Sequence, residues 1–382
     1  MKRFIGNTIM VLLAAVLIAS CAATAPTAIP TLTETPQRET PKTVEETAPA
    51  ATEKIVVTDA LDRTVEFDAY PSRIMIVGKA AFMLLDAAFL FPEASERIVA
   101  YELRSQTGLD FVQTAFPAAS EMTVLEMDSG PEQIAPFHPD LVMMKSYLKE
   151  KLGDQVEQLG IKVVYLDLET PEQINKDIQT LGKVFGNQPR ADELVALYDQ
   201  SRVKVTDITS EIPEDEKPDV LVLQYSDKGS EIAFSVPPMK FLQYKLVEMA
   251  GGTPVWNDIP TDGWTVVTIE QIAVWNPDAI FIIQYQGKAI DAVEALKSNA
   301  NWMLLNAVKN DQLLAFPLDF QSWDQPDTRW TLGLAWMAAR LHPDLYPDYD
   351  LVAETRAFYT YFYNLSDEVI TNQVLPLLKG DL

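Results

Sequence analysis

Cysteine and histidine are almost missing: the 382 residues hold one Cys, Cys21, and two His. That excludes disulfide frameworks, Cys/His zinc clusters and most thiol chemistry. Basic residues are also scarce, 30 Lys and Arg against 55 Asp and Glu for a net charge of −25. No basic face is available to neutralise phosphates, so nucleic acid is excluded as a partner. After residue 20 no apolar run reaches the ~20 residues of a membrane helix, and the best candidate, Phe82 to Phe91, is interrupted by Asp86. There is no Gly-x-Ser-x-Gly elbow, no phosphate-cradling Gly-rich loop and no His-Glu-x-x-His. What is there is an ordinary packed globule, 48% hydrophobic with 22% charged residues, long enough for two or three folding units.

The start of the chain accounts for the thiol. Lys2 and Arg3 precede the apolar run from Ile9 to Ala19, the length of a signal-peptide core. The run closes on Ile18-Ala19-Ser20-Cys21, which resembles the lipobox of bacterial lipoproteins; the resemblance implies cleavage before Cys21 and its diacylation. An ordinary signal peptide with an incidental Cys is the alternative. Residues 1–20 therefore read as a lipoprotein signal peptide. Residues 21–54 read as a lipid-anchored disordered linker, because Ile29, Leu32 and Val44 are its only large aliphatics, too few to offset the entropy of ordering it. Such a spacer, up to ~100 Å long if fully extended, holds the folded part outside the cytoplasm, anchored to the membrane through lipid only.

From Ile55 onward, short β-rich runs alternate with helical stretches, the signature of βα units around a mostly parallel sheet. Ile74–Val77, Arg97–Ala100, Leu141–Met144 and Lys162–Tyr165 read as one set of buried strands; Val220–Leu223, Ala279–Ile283 and Leu313–Phe316 read as a second. Two sheets are expected. Between the sets, Thr170-Pro171 opens a helix running to Gly186, and a second helix of about 20 residues follows Pro189 to about Ser210, on the order of 30 Å long. The expected architecture is α/β: an N-terminal lobe at 55–186, a connecting helix at 187–210 and a C-terminal lobe at 211–382. Trp302 and Trp336 fall in helical patterns and are expected in the core.

An internal echo supports the division. Residues 131–144 align without gaps with residues 269–282, an offset of 138, and six positions are identical, among them Glu132/Glu270, Gln133/Gln271 and the Pro-Asp steps 139–140 and 277–278. Each copy reads as a short helix, a turn set by Pro-Asp and a buried strand. The two lobes are expected to be structurally analogous.

These residues, together with Val57 to Val65, Pro71-Ser72-Arg73-Ile74 and Leu181-Gly182-Lys183 leading into the long helix, resemble the class III substrate-binding lipoproteins of ABC importers for iron-siderophores, haem and cobalamin. The resemblance covers about Ile55 to Lys379. It implies two lobes, each a mostly parallel sheet flanked by helices, joined by one long rigid helix. It also implies a ligand between the lobes, no enzymatic activity, no resident cofactor, a monomer, and an ABC permease with its ATPase as partners. Glu132 and Glu270 fit the paired acids that dock such proteins onto arginine pockets of the permease. A lone acid at either position would be explained by its helix dipole, worth 0.3 to 1 kcal/mol; the same address in both lobes would not.

The ligand site is expected at the carboxyl ends of strands. Lys79, Arg104, Lys145 and Tyr147 follow strands of the first lobe, and Phe234, Trp264, Trp323 and Arg329 occupy comparable loops of the second. Asp327 or Thr328 is expected to cap the helix after Arg329. All seven Trp lie beyond residue 250, so stacking on a ligand should come from the second lobe. His138 and His342 stand in His-Pro-Asp steps and read as turn elements, so metal is expected already wrapped in an organic chelate. The expected ligand is an iron-siderophore or related metal chelate. Cobalamin, haem or a molybdate-like oxyanion on the same scaffold is the alternative, and a secreted carboxylate-pair hydrolase the remote one.

Overall fold

The structure is a computed structural model that describes residues 54–103, 108–227, 231–259, 262–285 and 288–382. Two separate sheets are present, with a small hairpin beside the first. The hairpin is β1 (Ile55–Thr58) and β2 (Thr64–Phe67). Asp59 tightens its turn by accepting from the backbone N–H groups of Leu61 and Arg63, both at 3.0 Å. The Arg63 guanidinium then ties the turn to Glu157 and to the Val163 carbonyl. The Val57 to Val65 segment is thus a structural clasp on the first sheet.

The first sheet has the order β5-β4-β3-β6-β7, from β3 (Ile74–Ile76), β4 (Ile98–Glu102), β5 (Thr123–Leu125), β6 (Leu141–Lys145) and β7 (Val163–Leu166), with every pair parallel. Its central strands are buried throughout. Helices cover both faces of such a sheet, so the strands appear as continuous apolar runs. The second sheet is mixed: β8 (Asp219–Ser226), β12 (Ala279–Ile283) and β13 (Leu313–Ala315) are parallel neighbours. β9 (Ala233–Val236) and β11 (Thr265–Val267) extend it antiparallel, and β10 (Thr253–Pro254) pairs parallel with β8. Strands β5, β9 and β11 are absent from the sequence reading because they are short and partly exposed, so neither burial nor alternation marks them.

The helix Pro171–Phe185 begins where expected, with the Thr170 side chain accepting from the Gln173 N–H at 3.2 Å, and ends at Gly186 with φ 68°, a left-handed position that suits glycine. The connecting helix Gln188–Thr209 is 22 residues long. Its Arg190 binds the carbonyl of Leu90 on one side and that of Phe362 on the other, and Tyr198 stacks on Trp330 with ring centres 6.0 Å apart. The two helices touch where Gly182 faces Ala191; a Cβ at Gly182 would lie 2.5 Å from that of Ala191.

The echo is a structural repeat. His138 and Asn276, 138 residues apart, both adopt left-handed backbone, φ 48° and 43°. Gln133 and Gln271 each accept from a backbone N–H at the start of their helix, that of Gly130 at 2.8 Å and that of Thr268 at 3.0 Å. Asp140 and Asp278 each accept from the backbone leading into the neighbouring strand, at Arg73 and Asp219. Trp302 and Trp336 are buried, as expected.

Candidate functional site

A cavity of about 650 Å³ lies between the two sheets at the carboxyl ends of their strands. The first lobe contributes Lys79, Lys145, Tyr147 and Glu169, with Phe82 and Met83 from the helix Ala81–Ala88. Lys79 follows β3, and the Tyr147 hydroxyl donates to its carbonyl at 2.8 Å, so the two loops are held together. Lys145, the last residue of β6, is buried; its ammonium donates to the Asp167 carbonyl and pairs with Glu169 at 3.1 Å. The Glu169 side chain is 36% exposed and that of Lys145 1%, so Lys145 meets the cavity as part of its wall and not in open solvent.

The second lobe contributes a different chemistry. Gln224 and Tyr225 come from β8, Gln284 and Tyr285 from the end of β12, and Trp264 from the approach to β11. Behind them, the Tyr285 hydroxyl donates to Asp324 at 2.6 Å and the Gln243 amide nitrogen to the same oxygen at 3.0 Å. Burial pushes the Asp324 carboxyl up from its ordinary range, opposed by the hydrogen bonds from Ser322, Tyr285 and Gln243. Burial, with the Asp324 charge beside it, raises the Tyr285 phenol well above its usual value, so Tyr285 stays a neutral donor. Trp264 meets Tyr285 edge to face, 6.2 Å between centres.

Of the expected contacts, Lys79, Lys145, Tyr147 and Trp264 converge on this cavity. Arg104 lies outside the described residues, as does Cys21. Three others are elsewhere. Phe234 sits between Ala233 and Ser235, which line the cavity; strand alternation turns Phe234 to the opposite face, where it packs on Trp302 at 4.9 Å. Trp323 is fully buried and its indole N–H donates to Asp319 at 3.1 Å.

Arg329 is fully buried between the lobes. It pairs with Asp86 of the first lobe at 2.6 Å and with Asp327 and Asp319 of the second at 3.0 and 2.9 Å. Its guanidinium lies 4.7 Å from the centre of the Phe111 ring. It ties the lobes together and is not among the residues that line the cavity. Neither Asp327 nor Thr328 stands at the helix cap: the helix Trp330–Leu341 has Arg329 in that place, and Asp327 accepts from the Arg329 N–H at 2.7 Å. The seven Trp supply one cavity residue, Trp264, because Trp256, Trp302, Trp323, Trp330 and Trp336 are core and Trp275 is half-buried away from the cavity.

Glu132 and Glu270 are exposed in the first turns of the helices Pro131–Ile134 and Ile269–Trp275. The Glu270 carboxyl is held below its usual range by its own backbone N–H and by the Thr268 hydroxyl. The described residues contain no group of three or more His, Cys, Asp and Glu side chains that could hold a metal ion. His342 is instead bonded to the Gly251 carbonyl at 3.1 Å. None of the described helices is long and apolar enough to cross a membrane.

Two βα sheets that enclose a small-molecule-sized cleft at their strand ends define a two-lobed solute-binding protein. Residues 100–319, more than half of the chain, match the family model described as periplasmic binding protein. The chain belongs to that family, whose members capture solutes for ABC importers and are not enzymes. Among its relatives is the molybdate-binding protein of Haemophilus influenzae, 22% identical over 81% of this chain and 91% of the relative. The Fe(3+)-citrate-binding protein of Bacillus subtilis is 22% identical over 63% of this chain and 73% of that one. The solved structure of a periplasmic solute-binding protein from Veillonella parvula matches with a TM-score of 0.67 at 25% identity, covering 84% of this chain and 97% of the other.

Proposed function

We propose that this protein is the extracytoplasmic, lipid-anchored receptor of an ABC importer, and that it captures an iron-siderophore or a related metal chelate in the cavity between its lobes. The observation that carries this reading is the cavity itself. Its volume of about 650 Å³ falls within the roughly 300–1,000 Å³ of small-molecule sites and is several times what a bare tetrahedral oxyanion fills. Lys79 and Lys145 supply cations for the anionic oxygens of a chelate, and Trp264 and Tyr285 supply ring surface for its organic part. A molybdate-like oxyanion is the second reading, favoured by the two lysines and by the molybdate-binding relative. Titration of the purified protein with ferric citrate, a ferric trihydroxamate, haem, cobalamin and molybdate, followed by Trp fluorescence and calorimetry, separates the two. One-to-one binding of a metal chelate is expected. Binding of molybdate alone would replace the proposal by the second reading.

Lys145→Met should weaken chelate binding at least about tenfold, equivalent to ~1.4 kcal/mol, because the buried ammonium is lost from the cavity wall. An unchanged affinity by calorimetry would remove Lys145 from the site. Anchoring through Cys21 predicts that mature protein carries an acylated N-terminal Cys by mass spectrometry. Cys21→Ala should appear in the soluble fraction or retain its leader, and membrane attachment that survives Cys21→Ala would refute the anchor.

A further inference from the structure

The walls of the cavity differ in kind. The first-lobe wall carries the two ammonium groups, whereas the second-lobe wall, among the described residues, carries no Lys or Arg and presents side-chain amides instead. Gln284 is the most telling of these. It directly follows β12 and is only 7% exposed, yet its amide makes no hydrogen bond among the described residues. Neither its nitrogen nor its oxygen is sealed from access, so the group opens on the cavity that the residue lines.

The neighbouring amides sharpen the point. Gln224, half-buried on the adjacent strand β8, lines the same wall and its amide also lacks a partner. Gln243 has its nitrogen committed to Asp324, which leaves its oxygen buried and unbonded. The buried, unbonded Gln243 oxygen is costly to leave unmet, and the open Gln284 and Gln224 amides are free to bond a guest, so the wall selects a ligand that completes these groups. A bare oxyanion or a carboxylate can only accept, so it can take the lysines and the amide nitrogens but leaves the amide oxygens, that of Gln243 among them, unmet; a carboxamide both donates and accepts and can meet both.

We infer that Gln284 is the specificity-determining contact of the second-lobe wall, taking an amide or hydroxyl group on the organic frame of the ligand while the anionic oxygens face Lys79 and Lys145. This rests on the chelate reading above and names which part of the chelate each lobe recognises. The test uses ferrioxamine B, a ferric trihydroxamate whose frame carries amide N–H groups, with ferric citrate and molybdate as comparisons. Calorimetry is run on the wild type, on Gln284→Leu, which removes both hydrogen-bonding atoms, and on Gln284→Glu, which removes the donor and keeps an acceptor.

Gln284→Leu is expected to weaken ferrioxamine B binding at least tenfold with an unchanged melting temperature, and Gln284→Glu to lose less. A wild-type protein that binds ferrioxamine B, with both variants within twofold of it, overturns the assignment of Gln284 and leaves the chelate reading standing. Binding of molybdate without either ferric chelate, or of none of the three probes, counts against both.

Discussion

Replacing Arg329 by methionine should destabilise the protein by about 3–5 kcal/mol, the cost of removing one partner from a buried charge cluster. For a chain of this size that corresponds to a fall in melting temperature on the order of 5–10 °C. The reason is local. Asp86, Asp319 and Asp327 all converge on the one guanidinium, and all four side chains are buried. Without Arg329 three carboxyl groups share a dry site with only Tyr359 and its neighbours to bond them. Calorimetric scanning checks this; a melting temperature within 2 °C of the wild type, on the order of 1 kcal/mol, would mean that the cluster does not clamp the lobes.

The same cluster sets a pH dependence. Burial pushes the Asp86 carboxyl up to about 7, with Arg329 opposing the shift and Asp327 adding to it. Between its ordinary value of 3.8 and about 7 the folded protein therefore holds a proton that the unfolded chain has released. Stability from this group is fully present below pH ~4 and is lost as pH rises toward ~7. Asp327 is raised in the same direction by burial, with Arg329 opposing it. Asp86→Asn cannot titrate, and its melting temperature should fall less between pH 5 and pH 7 than that of the wild type. Identical slopes would show that Asp86 is ionised across that range.

The second large effect concerns delivery. The double variant Glu132→Ala, Glu270→Ala should abolish uptake of the bound ligand in cells and abolish stimulation of the importer ATPase in proteoliposomes, with ligand affinity unchanged. Both carboxylates are exposed, both lie in the first turn of their helices, and both precede a strand of their own sheet, β6 in one lobe and β12 in the other. Two like charges at matching addresses define an orientation that a single charge does not. A loss of ligand affinity in the purified double variant would assign these residues to the cavity; normal uptake would remove them from docking.

The parts of this molecule most legible from sequence are those that repeat or that are buried on both sides. The runs at Ile74, Leu141 and Ala279 are strands because nothing polar interrupts them. The Thr170-Pro171 start and the Gly186 stop bound a helix because cap chemistry is local. The 138-residue offset pairs the lobes because the same turn recurs at His138 and Asn276. The cavity is less legible, for a physical reason. Its second-lobe wall includes several glutamines, and an amide that opens on a cavity at a strand end has the same appearance in sequence as an amide facing bulk water. Arg329 shows the opposite difficulty. A guanidinium among aromatic and acidic neighbours suits an anionic ligand or an internal counter-charge equally well, and only the distance to Asp86, 243 residues earlier, separates the two.

The helix Leu351–Tyr363, from near the end of the chain, packs Tyr363 onto Phe111 of the first lobe at 4.8 Å, and its hydroxyl donates to the Asp86 carbonyl at 3.1 Å. The half of the molecule that is synthesised first therefore acquires its last apolar cover from a segment synthesised almost at the end. That half cannot complete its packing until the final turns are present, which makes its folding depend on a finished chain. A nascent fragment ending before residue 351 would present bare aromatic surface to any protease or chaperone it meets.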